Sequence, residues 1–124
     1  METILIVEDD PTMLRGLKDN FEFKGYRVLT AADGEEARAL WKANEGRVDL
    51  LLSDVTMPGL SGVAFAGELA SGPEPPRTLF ISGHLAGPGG GADLPAGAAF
   101  LPKPFSVTAL LDAVRGALDS PKPR

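Results

Sequence analysis

Val48-Asp49-Leu50-Leu51-Leu52-Ser53-Asp54-Val55-Thr56-Met57-Pro58-Gly59 is the stretch of this 124-residue chain from which its architecture can be read. The run Val48 to Ser53 is short, apolar and continuous, the mark of a strand covered on both faces. Asp54 stands directly after it, and a Pro/Gly turn follows at once. That turn places a carboxylate at the carboxyl end of a buried strand, at the mouth of a sheet. A single Asp in a turn means little, because Asp is an ordinary turn former. What matters is which other groups converge on the same edge.

Upstream, Ile4-Leu5-Ile6-Val7 is a second apolar run, and it ends in acid at Glu8-Asp9-Asp10. Asp10-Pro11 reads as an N-cap with Pro at the first helical position, and Leu14, Leu17 and Phe21 form a helical stripe that Gly25 stops. Tyr26 to Ala31 reads as a strand. Asp33 caps a helix with Ala37, Leu40 and Trp41 facing inward and an end near Gly46. Downstream, Gly62 to Leu69 predicts a helix, and Pro73-Glu74-Pro75-Pro76 forces a loop. Thr78-Leu79-Phe80-Ile81 and Ala98-Ala99-Phe100-Leu101 predict strands four and five. Ser106 caps a closing helix with Val107, Leu110, Leu111, Val114 and Leu118 on one stripe.

Alternating strands and helices imply a parallel sheet covered on both sides with right-handed crossovers, an open α/β sandwich. Ligands of such sheets bind outside the carboxyl ends of the strands, where strand order reverses. The loops after strands one and three then lie side by side, carrying Glu8, Asp9 and Asp54. One segment breaks the pattern. Gly83 to Gly97 holds six glycines and two prolines in fifteen residues, which predicts a loop with at most one helical turn, since each Gly costs about 1 kcal/mol and each Pro about 3 relative to Ala in a helix. No Lys-Ser/Thr follows Gly91, so it is not a P-loop.

Composition narrows the function classes. The chain has no cysteine, which excludes disulfides, thiolate metal sites and cysteine nucleophiles and suits a reducing, cytoplasmic setting. No apolar run approaches the ~20 residues that span a bilayer, so no membrane role is expected. A net charge of -5 weighs against direct nucleic-acid binding, which rests on clustered Lys and Arg.

Three carboxylates at one edge repel unless a cation neutralises them. Oxygen-only ligands point to a hard cation, Mg²⁺ or Mn²⁺, that shares its shell with a phosphate. Ser82 would add a hydroxyl and Lys103 an ammonium at the same mouth. Together these groups describe a site that accepts a phosphoryl group while one carboxylate attacks phosphorus.

At this point Ile4 to Pro11, Ser53 to Gly62, Phe80-Ile81-Ser82-Gly83 and Phe100-Leu101-Pro102-Lys103-Pro104-Phe105 resemble, in order, the receiver domain of two-component response regulators. The resemblance implies a flavodoxin-like doubly wound sheet of five parallel strands in the order 2-1-3-4-5, with the fourth helix short or replaced by the Gly-rich loop. It implies a receiver domain over residues 1–120 and a tail over 121–124. Asp54 would be the phosphoacceptor, fed by a histidine kinase or histidine phosphotransfer protein in a phosphorelay. Asp9, Asp54 and the Thr56 carbonyl would ligate Mg²⁺, with Glu8 acting through water in place of the commoner Asp. Lys103 would pair with the phosphoryl oxygens, Ser82 would be the switch hydroxyl and Phe100 the switch aromatic; Phe100 by itself reads as core. Thr56 and His84 would tune dephosphorylation, although His84 alone reads as a surface loop residue and Asp10 only as a helix cap. Gly83 would leave room for the phosphohistidine, and Lys103-Pro104 would be cis. The domain would be a self-phosphorylating signalling module, not an enzyme in the ordinary sense, and a monomer or weak dimer. A pseudo-receiver that is never phosphorylated is the alternative. After Leu118 only Asp119 to Arg124 remain, so no output domain is expected within the chain. Phe100 to Leu118 resembles receivers attached to hybrid sensor histidine kinases, and the first thirty residues resemble receivers of transcriptional regulators.

Overall fold

The computed structural model describes residues 1–54, 62–70, 72, 75–82, 99–102 and 105–119. The elements are β1 (Thr3–Val7), α1 (Pro11–Phe23), β2 (Arg27–Ala31), α2 (Gly34–Ala43), β3 (Leu50–Asp54), α3 (Gly62–Ala70), β4 (Arg77–Ser82), β5 (Ala99–Pro102) and α4 (Val107–Asp119). All strand pairings are parallel, in the order β2-β1-β3-β4-β5. This is the sheet the sequence implies, with β1 and β3 adjacent at the point where strand order reverses.

Side-chain alternation divides the strands between two cores. Ile4, Ile6, Leu50, Leu52, Leu79 and Ile81 meet Leu17 and Phe21 of α1 and Leu110, Val114 and Leu118 of α4. On the other face Leu5, Val7, Leu51 and Phe80 meet Ala37 of α2 and Phe65 and Ala66 of α3. Trp41 of α2 packs against this second core, its ring edge-on to Phe65 at 6.5 Å between centroids. With β1 and β3 buried along their whole length, apolar residues at consecutive positions are required, which is why their sequences do not alternate.

Helix ends follow local chemistry. Asp10 Oδ1 accepts from the N–H groups of Thr12 and Met13 at 3.0 and 3.5 Å, Asp33 Oδ1 from Glu36 at 2.8 Å, and Ser106 Oγ from Ala109 at 3.0 Å. Each residue expected to cap does so. α1 closes with Gly25 at φ 95, its N–H donating to Glu22 and that of Tyr26 to Phe21, and the Phe21 and Tyr26 rings meet edge-on. This is a Schellman closure with its hydrophobic contact.

The sequence puts the end of α2 near Gly46, and the structure refines this. Glu45, at φ 55, takes the left-handed position, and the Gly46 N–H donates back to Trp41. Other boundaries move by one or two residues. β3 runs to Asp54 and starts at Leu50, because Asp49 serves as a clasp: its N–H donates to the Thr3 carbonyl at 2.9 Å and its Oδ2 accepts the Thr3 N–H at 2.7 Å. Phe100, which by itself reads as core, is 38% exposed. It lies on edge strand β5, where Ala99 and Leu101 turn to the core shared with α4 and Phe100 turns to the other face. No described helix is long and apolar enough to cross a membrane. The Gly83 to Gly97 segment and the Pro73 to Pro76 loop, apart from Pro75 and Pro76, lie outside the described residues.

Arg115 of α4 ties this helix to the start of the sheet. It binds both Glu2 oxygens at 2.9 and 3.0 Å and also Asp119, and the Arg115 bonds to Glu2 hold its carboxyl below the ordinary pKa of 4.5. Glu2 therefore contributes stability above that value, and the contribution is lost as pH falls through the lowered one. Glu2→Gln should lower the urea midpoint at pH 7 by a small amount, as expected for an exposed pair, with the difference from wild type vanishing in strong acid. Glu45→Gly should stabilise by about 1 kcal/mol in the same assay, by relieving the left-handed backbone strain of a residue with a Cβ.

Candidate functional site

The site grows from the register of β1 on β3. Ile6 pairs with Leu52 and Val7 with Ser53, so Glu8 and Asp54 are the next residues on neighbouring strands. Glu8 continues the ladder, its N–H donating to the Ala31 carbonyl at 3.0 Å. Both carboxylates are buried, Glu8 at 2% exposure and Asp54 at 6%. By alternation both extend the face of Ile4, Ile6, Leu50 and Leu52. Glu8 Oε2 accepts the Asp10 N–H at 3.0 Å, which couples the acidic turn to the start of α1. Ser53 Oγ donates to the Asp54 carbonyl at 3.0 Å and steadies the strand end.

Asp9, like Asp10 after it, is exposed at the rim, whereas Glu8 is buried. β1 and its continuation are covered on both faces only as far as Glu8, and Asp9 lies past that cover. Asp10 is occupied as the α1 cap, in line with its reading from sequence. Among the described residues no group of three or more acidic, His or Cys side chains is gathered closely enough to hold a metal ion. The donor chemistry nevertheless fits a hard divalent cation: two buried carboxylates, a third at the rim, and oxygen as the only donor element. An open arrangement of this kind suits a cation that keeps waters and completes its shell with phosphate oxygens.

The remaining positions follow from register. Asp54 pairs with Ile81, and Ser82, closing β4, pairs with Pro102, closing β5. The backbones of Asp54 and Ser82 thus end at one edge of the sheet, and Lys103 is the next residue after Pro102. Thr56, Gly83, His84, Lys103 and Pro104 lie outside the described residues. Phe100 pairs with Phe80 on β4, two residues before Ser82. What sequence reasoning missed is the clasp role of Asp49, whose signal would have been an acid at the entry of a strand with a backbone donor opposite.

The sheet order and the acidic edge define an open α/β fold with carboxylates at its switch point. The model of the response regulator receiver domain family matches residues 4–115. This chain belongs to the response regulator receiver domain family. The sensor kinase CckA of Brucella abortus is 36% identical over 119 residues, covering 94% of this chain and 12% of the kinase. The response regulator MprA of Mycobacterium avium is 36% identical over 126 residues, covering 97% of this chain and 52% of that protein. The chain thus spans about half of one relative's length and a small part of the other's. Among solved structures, the receiver domain of the hybrid histidine kinase CckA superposes with a TM-score of 0.77 at 36% identity, covering 94% of this chain and 99% of that one. A CheY-like receiver domain protein from Methanospirillum hungatei superposes with a TM-score of 0.82 at 30% identity, covering 96% and 94%.

Asp10→Ala should cost about 1 kcal/mol in urea unfolding, the typical loss of a helix cap. Asp10→Ser, which keeps an acceptor, should recover most of it.

Proposed function

We propose that this domain accepts a phosphoryl group onto Asp54 from a phosphohistidine on a histidine kinase or a histidine phosphotransfer protein. The observation that carries the reading is the pair of buried carboxylates, Glu8 and Asp54, at the same level on neighbouring strand ends. Burying two like charges side by side is costly unless a cation or a proton relieves them. A site built this way is poised for a ligand that brings positive charge.

An Asp54 carboxylate oxygen attacks phosphorus, and the bond from phosphorus to the imidazole nitrogen breaks. The electron pair stays on that nitrogen, which takes up a proton, and an acyl phosphate remains on Asp54. Bound Mg²⁺, for which Mn²⁺ could substitute, would be held by Asp9, Asp54 and the Thr56 carbonyl, with Glu8 acting through water, and would neutralise the phosphoryl oxygens. Lys103, the residue after Pro102 in sequence, would pair with one of those oxygens. The Ser82 hydroxyl would then bond another, and the exposed Phe100 would change rotamer with it. Hydrolysis by water would reverse the modification, and Thr56 and His84 are the residues we assign to tuning its rate. The domain acts on itself, so it is a signalling phosphoacceptor.

Intact mass after incubation with Mg²⁺ and acetyl phosphate should show one added phosphoryl group, absent in Asp54→Ala and absent without a divalent ion. A gain that persists in Asp54→Ala would overturn the assignment, and no gain in wild type would favour a pseudo-receiver. Mg²⁺ at ten times its dissociation constant should stabilise wild type by about 1.4 kcal/mol and Asp54→Ala by far less.

A further inference from the structure

We propose a second, small-molecule site at the opposite end of the fold from the carboxylate edge, built for a flat aromatic compound bearing one carboxylate. α2 and α3 both run from the carboxyl edge towards the strand starts, since α2 leads into β3 and α3 leads towards β4. At their C-terminal ends lies an open pocket of about 430 Å³ lined by Trp41, Lys42, Gly46, Leu69 and Gly72, with Glu45 and Glu68. That volume falls in the range of ordinary ligand pockets.

The walls define the ligand's shape. One is the Trp41 indole, held edge-on to the buried Phe65, and another is Leu69. Gly46 and Gly72 contribute backbone alone. A Cβ at Gly46 would lie 3.3 Å from Trp41 Cζ2, and Gly46 also has φ 71, so the indole has bare main chain beside it. Flat apolar walls of this kind favour a planar aromatic guest, which stacks or packs edge-on with the indole.

The rim defines the charge. Glu68 is engaged by Arg38, through Nε at 3.2 Å and through Nη2, and Glu45 by Arg47 at 3.2 Å. Lys42 has no ion pair among the described residues. The carboxylates at the rim are therefore neutralised by their own partners, and the Lys42 ammonium is the charge left for a guest. An anionic head matches it, whereas a cationic head would compete with Arg38 and Arg47 for acids already paired.

The test is an NMR titration of the full chain with biphenyl-4-carboxylate, its neutral amide, and biphenyl-4-methylamine. Trp41 is the only tryptophan, so its indole N–H gives one unambiguous signal. The carboxylate should shift that signal and the backbone N–H of Leu69 saturably, and bind about five-fold more tightly than the amide, the ceiling for an exposed ion pair. The amine should bind weakest. Lys42→Gln, an exposed substitution outside the phosphoacceptor edge, should abolish the preference while leaving the fold intact. No saturable shift, equal affinity for all three compounds, or an undiminished preference in Lys42→Gln would overturn the proposal. The readout involves no phosphoryl transfer, so its failure is distinct from failure of the Asp54 assignment.

Discussion

The in-register parallel pairing of β1 with β3 is the constraint on which the rest depends. It sets Val7 beside Ser53, and therefore brings two carboxylates to one level at the carboxyl edge. The sheet can impose this because both strands are clad on both faces, so neither can slip without turning its apolar set outward. Burial of Ile4 to Val7 and Leu50 to Leu52, each at 1% exposure or less, is thus the restraint that keeps two acids out of water. The Asp49 clasp on Thr3 anchors the opposite ends of the same two strands. A strand pair pinned at its start and packed along its length holds its two carboxylates in fixed register at the other end.

The two faces of the sheet have different tasks. The face shared by α1 and α4 carries the larger aliphatic core, and by alternation it also carries Glu8 and Asp54. The face under α2 and α3 is more aromatic, with Phe65, Phe80 and Trp41. The Arg38 to Glu68 pair joins α2 to α3 at their surface. It is exposed and adds little stability; the two helices are held by their apolar packing on the second core. Helix ends rely on capping side chains and Schellman closures, so most of the turn chemistry is local and short in sequence.

Much of this was legible in the sequence because the signals were local and redundant. Continuous apolar runs marked the buried strands, and Asp10, Asp33 and Ser106 marked three helix starts, since a short polar side chain before a helical stripe has one good use there. The acidic and hydroxylic residues at strand ends followed once the sheet order was known. What escaped were features that depend on partners distant in the chain. Asp49 looks like any polar residue until Thr3 lies opposite it. Glu45 gave no sign that it, together with the adjacent Gly46, would adopt positive φ. The exposure of Phe100 depends on which face of an edge strand it occupies, and periodicity over four residues cannot tell that. The burial of Glu8 beside an exposed Asp9 likewise depends on where the cover over β1 ends, which the apolar run alone does not mark.

Trp41 lies about two turns along α2 from the carboxyl edge, in the last turn of a helix whose first turn adjoins the strand ends. The domain's sole strong natural fluorophore is therefore set back from the carboxylates. Direct quenching by an ion or a phosphoryl group there is weak at such a distance, so a change in Trp41 emission would be relayed through the packing of α2 against Phe65. In this domain, the emission of Trp41 therefore reports on the packing of α2 against Phe65, at the far end of the helix from the carboxylates.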